Sequence, residues 1–302
     1  MRQAVIVATA RTPLAKSYRG SFNLTRPDDL AAHAITAVLD KVPALDRRDV
    51  EEVILGCGQP HGPAGHNVAR VAALRAGLPV TTAGLTVNRY CNSGLQAIVQ
   101  AFHMVQHEGA DVVVGGGVES ITMMDRDDAP NPWLQERLPS LYLPMGQTAE
   151  VVARRYGISR QQQDEYALIS QQRTASAQRD GFFAGEIVPI AVRRARIDAK
   201  TGERLSEEEA VVDQDECNRP ETTLAGLAKL PPAFDVASGD GTVTAGNSSG
   251  ITDGAAALVL GDESAAEEAR GRGVAPIARI LDAVVVGVDP AQIGRASCRE
   301  RV

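Results

Sequence analysis

Asn88-Arg89-Tyr90-Cys91-Asn92-Ser93-Gly94 follows the apolar run Ala83-Gly84-Leu85-Thr86-Val87 and precedes Leu95, Ile98, Val99, Phe102 and Val105, which recur at helical spacing up to Gly109. The run reads as a buried strand and the spaced residues as a helix. Cys91 therefore falls where a strand turns into a helix, with Asn92 and Ser93 as candidate caps and Gly94 permitting close backbone approach. Free backbone N–H groups and the positive end of a helix dipole favour an anion at such a place, which raises the thiolate fraction of a cysteine there. Each unit of pKa depression corresponds to about 1.4 kcal/mol. Two readings stand for Cys91: a nucleophile, or a buried thiol acting as a small apolar filler.

Outward from this stretch the same rhythm repeats. Ala4–Val7 is a short β-branched run, hence a strand, and Arg11-Thr12-Pro13 turns the chain after it. Met1-Arg2-Gln3 with the apolar residues up to Ala10 mimics a short signal peptide, but a first strand explains it more simply. Leu30, Ala34, Ile35, Val38 and Leu39 form a helical stripe with Asp28 and Asp29 in its first turn. Val53-Ile54-Leu55 is a strand closed by Gly56, Cys57 and Gly58, and Val68, Val71, Ala72 and Leu74 make a helix ending near Gly77 and Pro79. Asp111-Val112-Val113-Val114 runs into Gly115-Gly116-Gly117. Apolar strands alternating with helices predict an α/β domain on a parallel sheet covered on both faces. The three glycines lack the GxGxxG order and no lysine follows, so they support no nucleotide loop; they suit a backbone lying against the Cys91 helix.

From Ile121 to about Thr244 the rhythm is lost among Met123, Met124, Trp133, prolines and charges. A stretch this long is not a plain loop, and it reads as an inserted, solvent-rich subdomain. Within it, Ser159 and Gln162 form a capping box for a helix running toward Gly181, Glu186–Val192 reads as a strand, and Lys200-Thr201-Gly202-Glu203 as a turn. The small residues of Thr242–Gly250 allow a flat ligand near the backbone before the apolar strand Ala255–Leu260 rejoins the sheet. Glu263–Gly271 looks helical, and Ile277–Val288 reads as a strand opening a second sheet.

Composition narrows the function. With 302 residues, 44% hydrophobic and 23% charged, the chain has core material for roughly two domains of about 150 residues. No apolar run approaches a membrane span, so no membrane partner is expected. A net charge of −7 argues against nucleic acid and requires any polyanionic ligand to be held by a local basic site. Arg193, Arg194, Arg196, Arg219 and Lys229 are candidates for that site, each taken singly better read as solvated surface. The four cysteines, Cys57, Cys91, Cys217 and Cys298, show no metal spacing; His61 and His66 beside Cys57 are a weak zinc pattern, and a polar loop explains them better. No metal site is expected, and free thiols suit a reducing cytoplasm.

Six segments together carry a resemblance: Asn88–Gly94, Gly115–Ser120, Pro144-Met145-Gly146-Gln147-Thr148-Ala149-Glu150, Lys229-Leu230-Pro231-Pro232-Ala233-Phe234-Asp235, Thr244-Ala245-Gly246-Asn247-Ser248-Ser249-Gly250 and Val286–Pro290. In this order they resemble the thiolases, over residues 1 to about 294. The resemblance implies a thiolase-like layered αβαβα fold of class α/β, with the first domain complete and the second largely missing. Its parts would be an N-terminal domain over residues 1–120 plus 247–262 and an inserted CoA-binding loop domain over 121–246. The start of a C-terminal domain would follow over 263–294, then a non-family tail over 295–302.

It implies further that Cys91 is the nucleophile that becomes acylated, and that Ser249 lies near the pantetheine of coenzyme A beside Ala245 and Gly250. Met145 and Phe234 would be apolar walls of its tunnel, and Arg219 a basic contact to its nucleotide end. Coenzyme A and acyl-CoA would be substrates, with no permanently bound cofactor, and the full-length family forms homodimers or homotetramers. Pro144 stands where acetoacetyl-CoA specialists commonly carry histidine, which leans toward the broader 3-oxoacyl-CoA thiolases of degradation. The family's Asn-Glu-Ala-Phe, Gly-His-Pro and Cys-x-Gly segments do not occur, the last histidine is His107, and Cys298 lacks the glycine context of the family's second cysteine. Negligible thiolysis by this chain is therefore expected. The rivals are a condensing enzyme of the ketoacyl synthase type, which the long insertion opposes, and a non-catalytic acyl-CoA-binding remnant.

Overall fold

The computed structural model describes residues 2–124, 129–198, 200–270 and 275–293, so the expected tail with Cys298 lies outside the described residues. The chain divides into two compact units. The first comprises residues 1–126, 183–217 and 251–283, and the second 127–182, 218–250 and 284–302. The stretch 121–246, expected as one insertion, is thus shared between them.

The first unit is built around one large sheet, with a separate two-stranded hairpin. In chain order its elements are β1 (Ala4–Arg11), β2 (Ala15–Lys16), α1 (Pro27–Asp40), β3 (Glu52–Gly56), α2 (Val68–Arg75), β4 (Ala83–Val87), α3 (Ser93–His103) and β5 (Val112–Glu119). The spatial order of the strands is β4-β3-β5-β8-β1-β9, with β8 spanning Thr252–Asp262, β9 spanning Ala278–Arg279, and β2 paired to β8. Side-chain alternation sorts the core onto two faces. Val53, Leu55, Val114, Ala257 and Val259 meet Leu30, Ile35 and Val38 of α1 and Val68 and Ala72 of α2. Ile54, Val113 and Leu260 meet Ala97, Ala101 and Phe102 of α3 on the other face. A register shift between Ile6 and Ala8 flips β1 partway, so Ala4 faces α3 while Ala8 and Ala10 face α1 and α2.

Three expectations are corrected. The sheet is mixed, not parallel: β3 pairs in parallel with β4 and β5, but β8 runs antiparallel to both β5 and β1. The reason is local. β8 enters beside the end of β5, with Gly254 opposite Glu119, and buried Asp253 accepts hydrogen bonds from the Ile121 and Thr122 N–H groups and the Ser17 hydroxyl. A strand that starts where its neighbour ends must run back along it. β4 is not buried; it has one neighbour, β3, and as an edge strand it leaves Leu85 40% exposed. Finally, the segment from Ile277 opens no second sheet among the described residues; Ala278 and Arg279 pair with Ile6 and Val5 on the otherwise open side of β1.

Also in the first unit, β6 (Ile190–Ile197) and β7 (Arg204–Val212) form an antiparallel hairpin, so the strand expected from Glu186 begins later and the expected turn lies at its tip. α8 spans Glu263–Arg270, as the sequence suggests.

The second unit contains α4 (Pro132–Arg137), α5 (Met145–Tyr156), α6 (Arg160–Arg179) and α7 (Leu224–Ala228). The capping box is present: Ser159 accepts from the Gln162 N–H, and Gln162 accepts from the Ser159 N–H. The helix it starts ends at Asp180, with Gly181 at a φ of +70°. Among the described residues no helix is long and apolar enough to cross a membrane.

Candidate functional site

Two sets of candidate residues lie in different units. In the first, Cys91 sits two residues ahead of α3, exposed. The helix starts directly on the end of β3: a Cβ on Gly56 would lie 2.1 Å from the Ser93 carbonyl carbon and 2.3 Å from the Gly94 nitrogen. The triple glycine of β5 lies on the same helix, since a Cβ on Gly117 would come within 3.3 Å of Gly94 Cα. Glycine at these points is what lets a helix start lie flat on strand ends.

The expected caps act differently. Asn92 is at the N-cap position but its side chain makes no capping bond. Ser93 instead staples the preceding turn: its Oγ donates to the Tyr90 carbonyl and accepts from the Arg89 N–H at 2.8 Å. The Asn92 and Ser93 N–H groups bond the Arg89 and Tyr90 carbonyls within the turn, and the next N–H to reach back is that of Gln96, to the Asn92 carbonyl. The N–H groups of Gly94 and Leu95 have no protein acceptor among the described residues, so the helix start offers unpaired donors.

Cys57 contrasts with Cys91. It is 1% exposed, and burial first, then the neighbouring Glu119 carboxylate, pushes its thiol up to about 12. At neutral pH it remains a protonated thiol and a poor nucleophile. Among the described residues no group of three or more His, Cys, Asp and Glu side chains is arranged to hold a metal ion.

The second unit holds the other candidates. Met145 opens α5 after Pro144, and Phe234 lies against the next residue: a Cβ on Gly146 would fall 2.1 Å from the Phe234 ring. Met145 and Phe234 are thus brought to one place, both partly exposed. Ala245, Ser249 and Gly250 are exposed on the loop 242–250. That loop is fixed from beneath. Glu150, 1% exposed, accepts from the Thr242 N–H and hydroxyl and from the Val243 N–H at 2.8–3.1 Å. Asn247 accepts from the Thr244 N–H and donates to Asp164 and to the Thr242 carbonyl. Asp164 is ion-paired to Arg160, whose guanidinium also caps the Leu227 and Leu230 carbonyls. Glu150, Arg160, Asp164 and Asn247 were not singled out in the sequence, where a carboxylate on a polar helix reads as solvated; Glu150 and Asn247 lay inside quoted motifs without a role.

The basic candidates are divided between the two units. Arg193 and Arg194 pair with Glu207 and Glu208 across the hairpin of the first unit, where Arg196 also lies. Arg219 and Lys229 belong to the second unit, and Arg219 is exposed with its backbone N–H bonded to Gln171.

Comparison with known proteins adds to this geometry. The family model described as "Thiolase, N-terminal domain" matches residues 4–264. The 3-ketoacyl-CoA thiolase of Bacillus subtilis is 42% identical over 299 residues, spanning 97% of this chain and 74% of that protein. The β-ketoadipyl-CoA thiolase of Pseudomonas aeruginosa is 40% identical over 314 residues, spanning 97% and 73%. The crystal structure of the Bacillus anthracis acetyl-CoA acetyltransferase matches with a TM-score of 0.82 at 36% identity, covering 97% of this chain and 73% of that one. A family model over most of the length, a shared fold and relatives aligned along nearly the whole sequence agree: the chain belongs to the thiolase family of acyltransferases.

Proposed function

We propose that Cys91 is the acyl-accepting nucleophile of a 3-oxoacyl-CoA thiolase. In the degradative direction its thiolate attacks the 3-keto carbon, the C2–C3 bond breaks, and acetyl-CoA leaves as an enolate that takes up a proton. The acyl group remains as a thioester on Cys91 until the thiol of a second coenzyme A displaces it. The observation that carries this reading is the placement of an exposed thiol beside the unpaired Gly94 and Leu95 N–H groups, donors suited to an anion at sulfur or at a carbonyl oxygen.

Met145, Phe234, Ala245, Ser249 and Gly250 are the proposed pantetheine surface, and Arg219 the proposed nucleotide contact. Their support is the pairing of Gly146 with the Phe234 ring and the rigid anchoring of the 242–250 loop. Coenzyme A and acyl-CoA then come and go as substrates, with no resident cofactor. Pro144 and the names of the Bacillus and Pseudomonas relatives favour 3-oxoacyl chains beyond acetoacetyl. Self-association into a homodimer or homotetramer is supported by the one-sided pairing of β4 and its exposed Leu85. The thiols of Cys57 and Cys91, neither in a disulfide, support a reducing, cytoplasmic setting. The proposed domains are an N-terminal domain over 1–120 plus 247–262, an inserted loop domain over 121–246, of which 183–217 packs within the first unit, and a C-terminal start over 263–294.

Intact mass after incubation with acetoacetyl-CoA tests the reading. The expected result is an acyl increment on the wild-type chain, absent from Cys91→Ala. Binding of the ligand with no increment would instead support an acyl-CoA binder without covalent chemistry.

A further inference from the structure

Tyr90 has a φ of +46°, a left-handed conformation that a bulky residue adopts only when its surroundings compel it. It immediately precedes Cys91, so whatever holds Tyr90 also aims the sulfur. Ser93 holds its carbonyl; the bonds that hold its N–H lead to one carboxylate. Glu119, at the end of β5, accepts from the Gly58 N–H at 2.8 Å. The Gly58 carbonyl accepts from Asn88 Nδ2 at 3.1 Å, and Asn88 Oδ1 accepts from the Tyr90 N–H at 2.8 Å. Gly58 is the bare spacer in this stack: a Cβ there would lie 2.8 Å from Glu119 Oε2 and 3.1 Å from the Tyr90 carbonyl carbon and oxygen. The second carboxylate oxygen of Glu119 accepts from Cys57 Sγ at 3.6 Å.

A half-buried acid here is costly. Burial raises the pKa of Glu119, and the interactions that oppose this are hydrogen bonds from Gly58, Cys57 and Gln59, not a cation. An apolar side chain would fill the same space with less penalty. What an apolar side chain cannot do is bond the backbone strip on which the turn rests.

We propose that Glu119 is a positioning residue for Cys91, acting through Gly58 and Asn88 to hold Tyr90 in its left-handed conformation and so set the thiol at the start of α3. This rests on the reading of Cys91 as the nucleophile. The brace is a series of bonds, so breaking either end removes the same hold on the Tyr90 N–H, leaving only the Ser93 staple on its carbonyl.

The test is the iodoacetamide rate at Cys91, located by peptide mapping, together with hydrogen exchange of the 88–95 segment. Asn88→Ala and Glu119→Ala should each slow Cys91 labelling about tenfold and speed exchange at Tyr90. Because the two act in series, the double variant should fall no more than about twofold below either single one. Glu119→Gln keeps an oxygen for the Gly58 N–H and should restore the rate to within about threefold of wild type, a rescue that a mere space-filling role does not predict for an unbonded apolar variant such as Glu119→Leu. Wild-type rate and exchange in Asn88→Ala, or losses that multiply in the double variant, overturn the proposal. Should Glu119→Ala not fold, Asn88→Ala decides alone, since Asn88 is exposed. A wild-type Cys91 that labels no faster than free cysteine defeats the nucleophile reading instead; unchanged Tyr90 exchange in the variants would then separately overturn the brace.

Discussion

Glu150→Ala should cost the second unit about 3 kcal/mol and loosen the loop that carries Ala245, Ser249 and Gly250. The carboxylate accepts from the Thr242 N–H, the Thr242 hydroxyl and the Val243 N–H, and it is almost wholly buried. Removing it leaves the buried Val243 N–H and its neighbour without an acceptor, at about 1–3 kcal/mol for each unsatisfied group. A glutamine is a poor substitute, because its amide NH2 would face at least one of these donors. Hydrogen exchange over 242–250 should rise, and coenzyme A affinity should fall even though Glu150 is not itself a proposed contact. Exchange and denaturation midpoints within about 0.5 kcal/mol of wild type would show that the loop is held by something else.

Gly56→Ala should be nearly as damaging in the first unit. The added methyl would meet the Ser93 carbonyl carbon at 2.1 Å and the Gly94 nitrogen and Ser93 oxygen at 2.3 Å, all backbone atoms that cannot rotate away. Either α3 lifts off β3 or the strand end shifts, and overpacking of this kind costs about 3 kcal/mol. The Cys91 turn moves with the helix, so labelling of Cys91 should slow as stability falls. Gly185→Ala is the control: nothing lies within 4 Å of its Cβ position, and the midpoint should stay within about 0.5 kcal/mol. A Gly56→Ala protein as stable as that control would mean the helix start does not bear on β3 as described.

The strand and helix pattern around Cys91 was legible because burial imposes it. Val53, Ile54 and Leu55 are apolar in succession because both faces of β3 are covered, whereas the stripe expected on α3 meets the buried face only in part: Phe102 and, just past the helix, Val105 are buried, Leu95 is exposed, and Ala97 and Ala101 face the sheet. Strand direction was not legible, since an antiparallel β8 buried on both faces has the same composition as a parallel one. β4 read as buried for a related reason: Leu85 and Val87 are apolar whether or not a partner covers them, and composition does not say which strand lies at an edge. The site was legible where it is carried by contiguous residues, as at Cys91 and Thr244–Gly250. Its supports were not, because Glu150 and Glu119 bond backbone groups, and Asp164 the Asn247 side chain, that are distant in sequence. Ser93 was noticed for the right reason, as a hydroxyl near a helix start, yet its bonds close the turn before the helix instead of capping it.

The central claim is that the sulfur of Cys91 is held ready to take an acyl group. It is tested most directly by the second-order rate of iodoacetamide labelling at neutral pH, resolved by peptide between Cys91 and Cys57 and compared with free cysteine. The account predicts that Cys91 outpaces the free amino acid by about tenfold or more while Cys57, its thiol pushed up to about 12, stays unlabelled. Labelling of Cys91 no faster than free cysteine would contradict it.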